Sequence, residues 1–190
     1  MIFVISGPSG SGKTTLAKKL LSDAGLKKSL SRLASFTTRP RRPGERQGHD
    51  YFFVSKEQFL EQRRAKKFLE WIEYLGYYYA TAKKIIEAKL NQGRSIVLCL
   101  DQRGAFRIRR LYPELARLIF ILPPDLKTLK KRIDSRANGA KAKAAKENKQ
   151  RLSLAKREIR HKHMYDFCLV NKDLSKALRE LKSIVKKEIK

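Results

Sequence analysis

Gly7-Pro8-Ser9-Gly10-Ser11-Gly12-Lys13-Thr14 is the stretch whose reading decides the fold. It follows Ile2-Phe3-Val4-Ile5, an apolar run too short for a helix and suited to a buried strand. Leu16, Leu20 and Leu21 come next, at helical spacing. Strand, glycine-rich turn and a helix opening on Lys-Thr form the context in which G-x-x-x-x-G-K-[ST] reads as a phosphate-binding P-loop. Glycines let the backbone come close enough for successive N–H groups to face phosphate oxygens, and the helix N-terminus adds partial positive charge. Residues Gly7, Pro8, Ser9, Gly10, Ser11 and Gly12 are therefore expected to cradle ATP. Lys13 is expected to reach its β- and γ-phosphates, and Thr14 to place its hydroxyl on Mg²⁺.

A chain of 190 residues with 42% hydrophobic content is long enough for one domain with a full core. No apolar run approaches the roughly 18 residues of a membrane span. The expected location is cytoplasmic. Cys99 and Cys168 lie in apolar runs without metal-ligand spacing, and are expected to be buried free thiols in a reducing compartment. Lys and Arg number 45 against 18 acidic residues, a net charge of +27. The surplus is spread along the chain instead of being gathered in one tail, so it reads as solvated surface before it reads as a nucleic-acid footprint.

Strands and helices alternate along the chain, which implies a parallel sheet flanked by helices. A helix is expected to about Ser22, then a strand from Leu30 to Phe36. Arg39-Pro40-Arg41-Arg42-Pro43-Gly44-Glu45 excludes regular structure and presents guanidinium forks suited to phosphate. Ser55 is expected to cap a helix reaching about Arg64. Phe68 to Tyr74 alternates as a strand, and a helix follows Thr81 to about Asn91. Ser95 to Asp101 reads as a buried strand with an acid at its C-terminal end, where open α/β sheets place ligands. A helix is expected from about Arg103 to Leu111, and Ala116 to Leu122 forms a further strand. Residues 137–150, rich in alanine and lysine, read as a mobile lid, with a helix opening at Arg151. Phe167 to Asn171 is the last strand, before a closing amphipathic helix.

Ser35-Phe36-Thr37-Thr38-Arg39-Pro40, Gly48-His49-Asp50-Tyr51, Phe68-Leu69-Glu70-Trp71 and Gly76-Tyr77-Tyr78-Tyr79, in this order after the P-loop, resemble the signatures of the guanylate kinases. The resemblance implies a P-loop NTPase-type core at 1–34 and 82–190, an inserted GMP-binding subdomain at about 35–81, and the lid at about 137–150. It implies phosphoryl transfer from ATP to GMP or dGMP in purine nucleotide metabolism and GMP recycling. By the same likeness Arg39, Arg42, Tyr51 and Tyr79 bind the GMP phosphate and Glu70 selects guanine. Ser35, Thr81 and Asp101 complete the GMP pocket. Arg132, Arg136 and Arg151 close on the transferring group beside Lys13 and Arg39, and Asn171 begins the adenine-contacting loop. The protein is expected as a monomer or homodimer acting on small molecules, with neither a membrane nor a nucleic acid as partner.

Several residues depart from the family pattern. Cys99 stands for an acid, Arg103 for a glutamine and Ala80 for a glycine, and the lid is longer and rich in lysine. These changes bear on rate more than on reaction type. Two other readings stay open at this point. One is a related P-loop kinase acting on a phosphorylated sugar, against which Glu70 and the tyrosine pair argue. The other is a catalytically silent guanylate-kinase-like binding domain, against which the intact Gly12-Lys13-Thr14 argues. A catalytic histidine is not required, and His49, His161 and His163 are expected at the surface.

Overall fold

The computed structural model describes residues 1–135 and 141–189. Five strands form an all-parallel sheet in the order β2-β7-β1-β8-β9: β1 (Ile2–Ser6), β2 (Leu30–Arg32), β7 (Ser95–Cys99), β8 (Ala116–Leu122) and β9 (Phe167–Val170). Every residue of β1 is buried, as a central strand covered on both faces requires. On one face α1 (Lys13–Leu21) and α7 (Leu174–Ile189) pack through Leu16, Leu20, Ala177, Leu181 and Val185 against Phe3, Ile5 and Ile121. On the other, α3 (Lys83–Asn91) and α4 (Gln102–Leu111) bury Ile86, Ala105 and Ile108 against Ile2, Val4 and Phe120.

A second sheet interrupts this alternation. Its order is β4-β3-β6-β5, built from β3 (Ser35–Thr37), β4 (Tyr51–Phe53), β5 (Phe68–Tyr74) and β6 (Tyr77–Ala82). β3 and β4 run parallel, and the other two pairings are antiparallel. Helix α2 (Lys56–Arg64) opens on Ser55, whose side chain accepts from the Gln58 N–H while Gln58 reaches back to the Ser55 N–H. Its Phe59 inserts between Phe68 and Tyr78, with ring centroids 4.8 and 5.2 Å away.

Three expectations need correction. The single strand over residues 30–36 is two: β2 pairs with β7 in the large sheet, and β3 joins the small one. The helix carrying Arg151 begins at Lys141, since α6 runs Lys141–Arg160. Alanine and lysine, read as a lid composition, are also strong helix formers, and residues 136–140 lie outside the described chain. Cys168 is exposed, whereas Cys99 is half-buried. β9 is an edge strand whose Leu169 packs into the α7 face while Cys168 and Val170 point outward. The three histidines are exposed. Among the described residues no helix is long and apolar enough to cross a membrane.

Candidate active site

A cleft of about 200 Å³ lies between the two sheets, at the C-terminal end of β1. That end is where the strand order turns, because β7 and β8 flank β1 on opposite sides. The loop at 7–14 forms its floor. Gly7 is at φ +139°, and a Cβ there would stand 2.5 Å from the Ile121 carbonyl oxygen, so β8 admits only glycine. Gly12 is at φ +93° and ends the loop as the N-cap of α1. Lys13 Nζ folds back over the loop, donating to the Gly7 and Pro8 carbonyls at 3.0 and 3.4 Å. Ser9, Gly10 and Thr14 also line the cleft.

Guanidiniums gather above this floor. Arg39 is buried, stacks 5.4 Å from the Tyr51 ring centroid, and donates to both Glu45 carboxylate oxygens at 2.8 and 2.9 Å. Burial opposes its charge, but the Glu45 hydrogen bonds prevail and raise its pKa. Arg42 lines the same space. Desolvation, then the like charges of Arg39 and Arg151, lower its pKa. Arg151 comes from α6 and reaches Ser9 Oγ at 3.3 Å, and its other nitrogen meets Glu147 one turn back. Three cations converging on one space repel each other, and a phosphate placed among them would relieve that repulsion. Tyr51 and Tyr79 stand edge to face, 6.1 Å apart; burial raises the Tyr51 pKa, so its hydroxyl stays a donor.

The far wall is acidic. Strand alternation puts Glu70, Ile72 and Tyr74 of β5 on the cleft side, and a bulge between Phe68 and Glu70 sets Glu70 opposite Thr81. Thr81 Oγ1 donates to Glu70 Oε1 at 2.6 Å. The other Glu70 oxygen lies against Gly104, in the first turn of α4. Burial, reinforced by the nearby Asp101 charge and opposed by the Thr81 hydrogen bond, pushes Glu70 up to about 7. Asp101 caps α4 by accepting from the Gly104 N–H at 2.9 Å, and burial raises its pKa too. Ser35 completes this end.

A family model described as guanylate kinase matches residues 1–188.

The chain belongs to the guanylate kinase family.

A guanylate kinase of Hahella chejuensis is 42% identical over 187 residues, 98% of this chain and 86% of that one. One of Shewanella violacea is 40% identical over 187 residues, covering 98% and 87%. The crystal structure of guanylate kinase from Anaplasma phagocytophilum aligns with a TM-score of 0.80 at 31% identity, covering 99% of this chain and 85% of that one.

In this guanylate kinase family member the cleft does not gather every residue singled out by sequence. Pro8, Ser11, Thr81, Arg132 and Asn171 lie outside its lining. Ser11 is fully buried, its N–H donates to Pro8 O at 3.1 Å, and its Oγ has no hydrogen-bond partner among the described residues. Asn171 turns its amide toward the loop, and Arg132 reaches the Asn171 carbonyl at 3.3 Å. Arg136 falls outside the described residues.

Sequence reasoning missed Glu45 as the partner of Arg39, and missed Glu158 and Tyr74 in the lining. Glu158 shares the helical spacing i, i+7 with Arg151, a signal available in the sequence once α6 is drawn as one helix. Asp50, in the Gly48-His49-Asp50-Tyr51 stretch, has a structural part that the sequence does not reveal. It is a buried carboxylate that receives Lys18 of α1 at 2.6 Å, Arg32 of β2 at 3.4 Å and the Arg46 N–H at 2.9 Å. It therefore pins the loop before β4 to the large sheet. Burial works against its charge, but these partners hold it well below the usual carboxylate range.

Proposed function

We propose that this chain transfers the γ-phosphoryl group of ATP to GMP or dGMP, giving ADP and GDP or dGDP, in purine nucleotide metabolism and GMP recycling. The observation that carries the reading is one cleft with a P-loop lysine and converging guanidiniums at one end and a buried, hydroxyl-paired carboxylate at the other. The core at 1–34 and 82–190 would hold ATP, the segment at about 35–81 would hold GMP, and residues 137–150 would act as the lid. The chain would work in the cytoplasm, where both nucleotides are found, as a monomer or homodimer and without a nucleic-acid partner.

The acceptor is the GMP phosphate, mostly dianionic at neutral pH because its second pKa is about 6. No general base is needed. An acceptor phosphate oxygen forms the new O–P bond as the bond from the γ-phosphorus to the β,γ-bridging oxygen breaks, and ADP departs. Bringing two polyanions together is the main difficulty, so positioning and neutralisation supply the catalysis. Lys13 and the loop N–H groups would hold the ATP phosphates. Arg39, Arg42, Tyr51 and Tyr79 would hold the GMP phosphate, which would take over the Arg39 Nη2 donor now held by Glu45. Arg132, Arg136 and Arg151 would gather around the moving phosphoryl group.

Magnesium fits the residues present. No group of three or more His, Cys, Asp or Glu forms a metal cage among the described residues. A nucleotide-bound Mg²⁺ needs only one or two protein ligands besides phosphate and water. Thr14, in the first turn of α1 and on the cleft wall, would supply that ligand. When bound, the ion neutralises charge on the β- and γ-phosphates.

Glu70 would choose the base. Its carboxylate accepts from guanine N1–H and the N2 amine, and adenine offers no donor at N1. A base without those donors would leave the buried carboxylate unpaired or force it to hold a proton, and either way the site loses the hydrogen bonds it makes to guanine. Ser35, Thr81 and Asp101 would frame the same edge.

A coupled ADP-release assay over GMP, dGMP, AMP, CMP, UMP and ribose phosphates tests the proposal. GMP and dGMP should turn over at least a hundredfold faster than the rest. Preferred turnover of a sugar phosphate, or none with GMP, would sink it.

A further inference from the structure

We propose that Asn171 is a positioning residue for the phosphate loop and does not read the base of the phosphate donor. The inference rests on the triphosphate reading of the loop given above.

Asn171 follows β9 and is 5% exposed. Its backbone N–H donates to Leu122 O at 2.8 Å, which ties it to the end of β8. Its side-chain amide does not face the cleft. Nδ2 donates instead to the carbonyl of Ser11 at 2.8 Å, in a buried hydrogen bond between residues 160 positions apart. The same amide lies flush against Gly12, where an added Cβ would collide with Nδ2. Glycine is therefore required there twice over, by its φ of +93° and by this contact.

Peptide planarity carries the consequence. Ser11 C=O and Gly12 N–H belong to one trans peptide unit, so they point in opposite directions. Fixing the Ser11 carbonyl on the buried side aims the Gly12 N–H out from the floor of the cleft that Gly12 lines. Without the Asn171 amide that carbonyl loses its buried donor, and rotation of the peptide plane is the route to a new one. Rotation would turn a carbonyl oxygen toward the phosphates. Asn171 thus acts on a triphosphate through a shared peptide unit, holding its carbonyl while the ligand meets its N–H, without touching the ligand itself.

Its other polar group serves the same assembly. The Asn171 carbonyl accepts from Arg132 Nη2 at 3.3 Å. Arg132 belongs to α5 (Leu126–Asp134), which packs on the loop at Gly10 through Leu129 and Ile133. One residue therefore sets the register of loop, strand end and arginine.

The test compares Asn171→Ala and Asn171→Asp with the parent chain, full length. It measures affinity for ATP, for inorganic tripolyphosphate as a probe without a base, and for GMP, together with kcat and thermal midpoint. Both variants should weaken ATP and tripolyphosphate by the same factor, on the order of tenfold for alanine. Aspartate should be worse, because it sets a carboxylate against a carbonyl oxygen. GMP affinity should stay within about twofold, and ATP should keep its advantage over GTP as donor. Weaker ATP with unchanged tripolyphosphate, or loss of the ATP-over-GTP preference, would make Asn171 a base reader and overturn the inference. So would parallel losses of ATP, GMP and thermal midpoint, which mark a general structural role, or no change in any affinity. A parent chain that bound neither ATP nor tripolyphosphate would overturn the donor reading itself, and this inference with it.

Discussion

The central strands of the five-stranded sheet are sealed on both faces, with β1 and most of β8 fully buried, whereas β4 and most of β5 and β6 in the four-stranded sheet are half-buried. The large sheet is mostly aliphatic, with Phe3 and Phe120 among its core side chains, and is held by helices. The small one is held by stacked rings, with Phe36 on Phe52 at 4.8 Å and Phe59 between Phe68 and Tyr78. The difference maps onto two kinds of recognition. A sheet packed this closely fixes its backbone, so the loop leaving β1 can present N–H groups at set positions to a phosphate. A half-buried strand offers one row of side chains to a cleft, so β5 can present Glu70, Ile72 and Tyr74 as chemically distinct contacts.

The largest effect should come from hollowing out each sheet in turn. Phe3→Ala and Phe59→Ala each remove a fully buried ring and should each cost about 3–5 kcal/mol. Phe3→Ala should lower the global unfolding midpoint and both nucleotide affinities. Phe59→Ala should weaken GMP first and leave affinity for an ATP analogue nearly intact. Denaturation curves read alongside the two affinities check this; two variants that lost both ligands together would break the distinction between the sheets.

Lys13→Met probes the floor. We expect a fall in kcat of about 10²–10³-fold, the loss typical of removing a fixed donor to developing charge, while GMP affinity is kept. Calorimetric GMP binding and steady-state rates measure the two separately, and an equal loss of both would misassign the lysine.

Glu70 sharpens the comparison from the other wall. Its carboxyl, pushed up to about 7 chiefly by burial, stays protonated in the folded chain over a range where the unfolded chain has released the proton. Its contribution to the stability of the ligand-free protein should therefore decline as pH rises from about 4.5 to 7 and level off above. Guanine requires the ionised form, so GMP affinity should weaken as pH falls below about 7, and binding near pH 6 should release a proton. Subtracting the pH profile of Glu70→Gln removes the titration of the GMP phosphate itself. That variant should also lose about tenfold or more of the GMP-over-AMP preference. Superimposable profiles would take Glu70 out of the pocket.

The smallest change is Ser55→Ala, which removes the cap of α2 and should cost about 1 kcal/mol. It should leave kcat and the ATP affinity unchanged. A measurable drop in ATP affinity would mean that the two sheets are coupled more tightly than their contacts indicate.

Much of the fold was legible because its signals are local. The P-loop, the Ser55 cap and the alternation of Phe68 to Tyr74 each depend on neighbours within a few residues. The split after Arg32 was not legible. Residues on both sides of it suit a strand, and only the partner, β7 for one and β4 with β6 for the other, separates them. The hold of Glu45 on Arg39 was hidden for a related reason, since six residues of irregular chain do not reveal which oxygen faces which guanidinium.

By itself the sequence determined the glycine loop, the order of strands and helices, and which residue types were available to meet phosphate and a base. Those follow from backbone sterics and side-chain spacing, which act over short stretches of chain. Tertiary structure decided which residues share the cleft: it brought Arg151 of α6 to Ser9, stood Glu70 against the first turn of α4, and turned Asn171 beneath the loop instead of into the cleft. Buried polar groups must find partners wherever the packed chain brings them, and spacing along the sequence does not record where that is.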